Sequence, residues 1–241
     1  MELTLLGLER IAGPVRAAVP PYTRMIIETF GSSAKALTFF GAAVSVGFEV
    51  HRHSAYNVLV LSEVDLTRLR KLTELGVKLG KAHIAAPWVM TPEYIQASRD
   101  TFALELIEIQ QHHVTVFGEE YFRDLVFQDG HVRLQCEREL KVSLITLRHG
   151  LLAAAGREKE LEQVQVDVGE SLARALRGML WLKGHKEAKP AAEVLSEVEK
   201  ITERKLDGLR TALNLHTRHG WEEFEGLHRD VEALKKIVDA W

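Results

Sequence analysis

Between Ala36 and Leu61 the chain reads ALTFFGAAVSVGFEVHRHSAYNVLVL, two short apolar runs rich in aromatic and β-branched residues with a glycine-bearing, partly charged stretch between them. That pattern predicts two neighbouring strands, the first running into Gly41 and the second spanning Tyr56 to Leu61, paired like a hairpin with a crevice at one end. Ahead of them, Leu3 to Ile11 predicts a short amphipathic turn or helix broken by Gly13-Pro14. Tyr22 to Phe30 predicts a helix whose face is Met25, Ile26 and Phe30, ended by Gly31-Ser32-Ser33. Beyond Leu61, Ser62 reads as an N-cap with Asp65 as the acid of a capping box, and leucines at 66, 69, 72, 75 and 79 continue at helical spacing until Gly80. Ile84 to Met90 contains Pro87 and reads as a short edge strand. Thr91-Pro92-Glu93 reads as the start of a brief helix with Thr91 as its cap. Phe102 to Ile109 alternates, with Glu105 among apolar residues, and predicts a further strand. His112-His113 and Val114 to Phe117 predict an edge strand closed by Gly118.

From about His131 the period changes to three and four. Val132, Cys136, Leu140, Leu144, Leu147 and Leu151 predict one long helix ending near Gly156, and Leu161 to Met179 predict a second. Lys189-Pro190 interrupts, Val194 to Leu213 resumes the theme, and Trp221 to Trp241 closes it. Successive amphipathic helices with short breaks predict an antiparallel bundle. The fold class expected is therefore α+β, a mixed sheet with flanking helices over residues 1–128 followed by an all-α helical bundle over residues 129–241.

Composition narrows the setting. The 241 residues are 46% hydrophobic and 27% charged, enough for an ample core. A single cysteine, Cys136, excludes an internal disulfide and fits a reducing compartment. The start MELTLLGLER lacks the features of a signal peptide, and no stretch reaches membrane-span length, so a cytoplasmic location and no membrane partner are expected. Net charge is -3, and neither half is basic: 12 Lys and Arg face 14 Asp and Glu up to Gln128, and 19 face 20 thereafter. That balance argues against duplex nucleic acid as a partner and for a small molecule or a protein. The apolar closing helix leaves a homodimer open.

The residues around the first strand pair resemble the signature of the DNA polymerase beta-like nucleotidyltransferase superfamily, in particular the small bacterial enzymes related to kanamycin nucleotidyltransferase. In that family the first strand ends in Gly-Ser, which holds a nucleotide phosphate, and the second carries two aspartates one residue apart. The corresponding letters here are Gly41-Ala42, with Ser45 nearby, and Ser54-Ala55-Tyr56-Asn57-Val58-Leu59-Val60. Glu105 resembles by position the third acidic residue of the family's metal site. An α/β domain followed by a helical bundle is also the family's layout. The stretch from Thr91 to Gly118 is similar to a subgroup of bacterial nucleotidyltransferase-domain proteins.

Two aspartates on one face of a strand share a pair of magnesium ions with nucleotide phosphates, whereas alanine offers no oxygen and asparagine only a neutral one. The resemblance thus implies a nucleotidyltransferase-like fold with a degenerate site, a catalytically inactive small-molecule, nucleotide or protein-interaction module for which no cofactor is expected. The alternative is an active nucleotidyltransferase, using Mg2+ and ATP at an unconventional site around Asn57 and Glu105, that transfers a nucleoside monophosphate to a small hydroxyl compound or a protein.

A third possibility lies in the bundle. Arg210 and His216 are six apart, a spacing that resembles the motif of HEPN ribonucleases, in which the histidine would act as acid or base and the arginine would stabilise phosphate charge. Arginine and histidine fall at this spacing by chance in many helical proteins. His51, His53, His112 and His113 have no third or fourth ligand in a zinc spacing and read as solvent-exposed loop residues rather than a metal site. Arg133, Arg138, Lys141 and Arg148 alternate with Glu137 and Glu139, as a salt-bridged helix face does. GAAVSVG, from Gly41 to Gly47, lacks the lysine of a phosphate loop, and no nucleophile elbow is present.

Overall fold

The computed structural model describes residues 4–45, 48–51, 53–214 and 220–241. The chain divides into two compact units, one of residues 1–99 and 106–126, the other of residues 100–105 and 127–241.

In the first unit, Gly13–Arg16 (α1) and Val19–Phe30 (α2) precede the sheet. Gly13-Pro14 begins a helical turn rather than breaking one, and Pro20-Pro21 sit in the first turn of α2, where a missing N–H leaves no bond unmade. Strands follow at Ala34–Phe40 (β1) and Tyr56–Leu61 (β2). Then come Leu66–Leu72 (α3), Gly76–Lys81 (α4), Trp88–Met90 (β3), Pro92–Ala97 (α5), Ala103–Gln111 (α6), whose residues 103–105 belong to the second unit, and His113–Gly118 (β4). The sheet order is β3-β2-β1-β4, with β2–β1 and β1–β4 antiparallel and β2–β3 parallel. The expected hairpin-like pair is therefore present, in a register that sets Phe40 against Tyr56 and Phe39 against Asn57.

Val19, Tyr22, Ile26 and Phe30 recur at helical spacing along α2 and join Leu37, Phe39, Ala55, Leu59 and Leu61 of the sheet in one buried cluster. Alternation along β2 then fixes the other face, where the Thr38 and Thr115 hydroxyls meet at 2.9 Å across β1 and β4. On that same face Phe40 stacks on Tyr56 and touches Trp88.

Three local expectations need correction. Asp65, not Ser62, caps α3: its Oδ1 accepts from the N–H groups of Thr67 at 2.8 Å and Arg68 at 3.3 Å. The leucine stripe does not make one helix, because a tighter turn at Thr73–Leu75 separates α3 from α4 and Leu66 stands 76% exposed. The third correction bears on the site. Residues 102–109 are no strand: α6 occupies them, with Ala103, Leu104, Leu106, Ile107 and Ile109 all buried. The buried residues spread over a wide face of α6, which blurs the helical period, and its Leu, Glu and Gln residues are helix formers. The edge strand expected over Ile84–Met90 shortens to β3, with Ile84 making a single bridge to Ala55.

The second unit is helical: Asp129–Ala154 (α7), Glu158–Leu182 (α8), Ala191–Thr202 (α9), Asp207–Ala212 (α10) and Trp221–Asp239 (α11). The periodic residues named from the sequence form its core, among them Val132, Cys136, Leu140 and Leu147 of α7 and Leu172, Leu176 and Met179 of α8. α7 ends where expected, with Ala155 and Gly156 in the left-handed region at φ 49 and 82. Cys136 is buried, its thiol reaches the Ala175 carbonyl at 3.6 Å, and burial pushes its pKa up to about 12, so it holds no reactive thiolate at neutral pH. Glu137 takes both Arg133 and Lys141, as a salt-bridged face should. Lys183 lies 3.8 Å above the ring of Trp241. Among the described residues, no helix is long and apolar enough to cross a membrane.

Candidate functional site

β1 ends at Phe40 and the chain turns at once. Gly41 takes φ 68, a conformation glycine adopts without penalty, and opens a short helical turn at Gly41–Val44. Its N–H donates to the His112 carbonyl at 3.0 Å. The Ser45 hydroxyl, the nearest candidate for the missing Gly-Ser hydroxyl, donates back to the Gly41 carbonyl at 2.7 Å. Gly41, Ala42 and Ser45 are thus brought together in one turn.

Ala55 lies just before β2 and is held by backbone bonds on both sides: its N–H donates to His83 at 2.6 Å and its carbonyl accepts from Ala85 at 3.1 Å. Asn57 follows on the same face. Both residues are sealed, at 0% and 1% exposure, on the side covered by α2. The Tyr22 hydroxyl donates to Asn57 Oδ1 at 3.1 Å, and Asn57 Nδ2 donates to the Ala85 carbonyl at 2.9 Å. Burial pushes the Tyr22 phenol pKa upward, so the hydroxyl stays a donor throughout the ordinary pH range.

This arrangement can be tested against the magnesium pair that the fold family implies. A hard cation needs several oxygens, at least some anionic, in an open shell that also admits water or phosphate. Ala55 contributes no oxygen, the Asn57 oxygen already accepts from Tyr22, and the slot around them is filled with apolar side chains. The residues present do not fit the metal pair.

Glu105, expected to complete that site from a neighbouring strand, stands instead in the first turn of α6, where its carboxylate accepts from Arg174 at 2.9 Å. The separation follows from the correction above: helical residues do not share the period-two face on which the strand reading placed Glu105. Arg210 lies in α10 and bonds Glu199 at 2.5 Å. His216, its expected partner, falls outside the described residues.

His51 is exposed in a turn, as expected, whereas His113 is not an exposed loop residue. His113 begins β4 with its side chain only 8% exposed, one ring nitrogen 2.8 Å from the Ile109 carbonyl and the other 3.0 Å from Glu120 Oε1. His53 accepts from the Glu49 N–H at 2.9 Å. Among the described residues, no group of three or more His, Cys, Asp or Glu side chains gathers to hold a metal ion.

Glu120 gathers His113, the Thr115 hydroxyl and the Phe122 N–H. Burial alone would raise its pKa, but the Phe122 N–H, His113 and Thr115 outweigh that and hold it below its ordinary value of 4.5. A carboxyl whose folded pKa is depressed stabilises the fold above its unfolded pKa and loses that contribution as pH falls through the folded one. Glu120→Gln is therefore expected to cost about 1–2 kcal/mol at pH 7. In urea melts at several pH values, that difference should fade below about pH 4.5.

Two sets of residues that shape these sites escaped the sequence reading. Tyr22 lies four residues before Ile26 and eight before Phe30, a spacing that puts it on the buried face of α2. Glu199, in the last turn of α9, and Arg204 and Lys205, in the charged break before α10, are the companions of Arg210, and only the fold brings them together.

No protein-family model and no curated protein sequence matches the chain. A solved structure does: spectinomycin adenyltransferase AAD(9) from Enterococcus faecialis, determined with ATP and spectinomycin, superposes with a TM-score of 0.57 at 9% identity, over 93% of this chain and 99% of that one. The likeness shows that the chain has a nucleotidyltransferase-like fold over nearly its whole length.

Proposed function

We propose that this protein uses the nucleotidyltransferase-like fold to bind a small molecule or a protein partner and does not transfer nucleotides. One observation carries the reading. At the two strand positions where the resemblance calls for metal-holding carboxylates, the chain has Ala55 and Asn57, both sealed beneath α2, with the Asn57 amide committed to Tyr22 and Ala85. Without an anionic anchor for magnesium, the charge that develops on a phosphoryl group in transfer has no counter-ion there. Glu105 is bound to Arg174 and does not supply one.

The likeness to an enzyme solved with ATP favours a second reading, an active transferase that requires Mg2+ and ATP. The two separate in one assay. The purified chain, incubated with ATP labelled on the α-phosphate, magnesium and a panel of small hydroxyl compounds and proteins, should transfer no label to any of them above the protein-free control. In parallel calorimetry, any heat of ATP binding should be unchanged when EDTA replaces magnesium. Magnesium-dependent label transfer would establish the second reading and end the first.

A further inference from the structure

A cavity of about 360 Å³ in the helical unit is lined by Ser196, Glu199, Lys200, Glu203, Arg204, Lys205 and Arg210. Four cations thus face two carboxylates. The buried carboxylate organises the group: Glu199, 8% exposed, accepts the Leu206 N–H at 2.9 Å, binds Arg210 at 2.5 Å and lies 3.9 Å from Lys205. Burial would raise the Glu199 pKa, yet the Leu206 N–H, Arg210 and Lys205 lower it, so it is a fixed anion at neutral pH. Lys200 is tied to Glu197 outside the cavity. Arg204 lines the cavity with its side chain exposed, and its charge also acts on the Asp230 carboxylate. Like charges gathered around one anchoring carboxylate repel each other, and an anion entering between them removes that repulsion while using the donors Glu199 leaves open.

We propose that this cavity binds a compact, multiply charged oxyanion, a phosphate or diphosphate group carried by a small molecule. Arg204, Lys205 and the free donors of Arg210 supply the contacts, Glu199 sets their spacing, and Glu203 at the rim opposes the ligand's charge. A guanidinium presents paired N–H donors that match two phosphate oxygens, and an ammonium adds a point charge. The site lies in the helical unit and does not depend on any nucleotide chemistry at β2.

Inorganic pyrophosphate is the probe, titrated calorimetrically into the full chain at low ionic strength. Binding is expected, weakening as salt is raised. The doubly substituted Arg204→Gln/Lys205→Gln chain should bind at least tenfold more weakly with an unchanged thermal melt, since Lys205 is 81% exposed. Glu203→Gln should tighten binding several-fold, an opposite sign that a folding defect does not produce. Arg138→Gln/Lys141→Gln, on α7, should leave it unaltered. Absence of pyrophosphate binding, binding indifferent to residues 203 to 205, or binding of a single-stranded RNA oligonucleotide in place of pyrophosphate would each overturn the proposal.

Discussion

Aspartates placed at positions 55 and 57 will destabilise the sheet-bearing unit instead of equipping it for catalysis. The reason is where those positions lie. Ala55 and Asn57 are buried against Tyr22, Phe39 and Leu59, in space that already fits an alanine and an amide. In Asn57→Asp the Nδ2–H that satisfied the Ala85 carbonyl is lost, and a carboxylate oxygen faces that carbonyl oxygen instead. Tyr22 can still donate to the new side chain, but one hydrogen bond does not replace the water a buried carboxylate gives up. Ala55→Asp adds a second anion on the same face at a fully buried position.

Two uncompensated buried charges cost about 3–5 kcal/mol or more together. In a unit of this size that lowers the melting temperature by more than about 10 °C. The sign with pH follows from burial. The folded pKa of an introduced carboxyl lies above its unfolded value, so the penalty is smallest in acid, where the group is protonated in both states. It grows by about 1.4 kcal/mol per pH unit above about pH 4 until the folded pKa is passed. Thermal melts of the double variant from pH 4 to pH 8 should show the gap from the natural chain widening. A variant as stable as the natural chain at pH 7 would mean that these positions are not sealed.

The second large effect belongs to the helical unit. α10 and α11 cross with backbone against backbone: a Cβ added at Gly208 would stand 2.1 Å from the Gly226 carbonyl carbon and 2.3 Å from the Leu227 nitrogen. No side-chain rotation relieves a clash with main chain, so the helices must separate. Separation also draws Asp230, whose carboxylate accepts the Leu209 N–H at 3.0 Å, away from the start of α10. Gly208→Ala should therefore cost about 3 kcal/mol or more, whereas a glycine-to-alanine change at an open helical site gains about 0.5–1 kcal/mol. Gly130→Ala is the matched control, since nothing lies within 4 Å of a Cβ there. The difference between the two denaturation midpoints measures the contact.

Much of this fold was legible because a single period governed each stretch. β1 and β2 read as strands from their apolar runs, and α7, α8 and α11 read as helices from residues three and four apart. Legibility failed where burial was nearly complete or where the determining partner was remote in sequence. α6 buries a wide face, so alternation and helical spacing both fitted its apolar residues, and the strand reading gave Glu105 a strand position that it does not have. His113 looked like a loop residue because Glu120, its partner, lies beyond a turn. At the candidate site the letters at 55 and 57 revealed the missing carboxylates, but not that Tyr22, 35 positions before Asn57, seals the slot. The oxyanion cavity was half visible through Arg210, and the carboxylate that organises it belongs to another helix.

The account as a whole turns on whether the strand pair can hold a divalent cation. Crystals grown with manganese and a non-hydrolysable ATP analogue, with anomalous data collected at the manganese edge, examine that directly. The expected map has no anomalous peak beside Ala55 and Asn57, and the Tyr22 hydroxyl still donates to the Asn57 amide oxygen. A manganese peak coordinated by that oxygen, with Tyr22 displaced and a phosphate bridging the ion, would contradict the account.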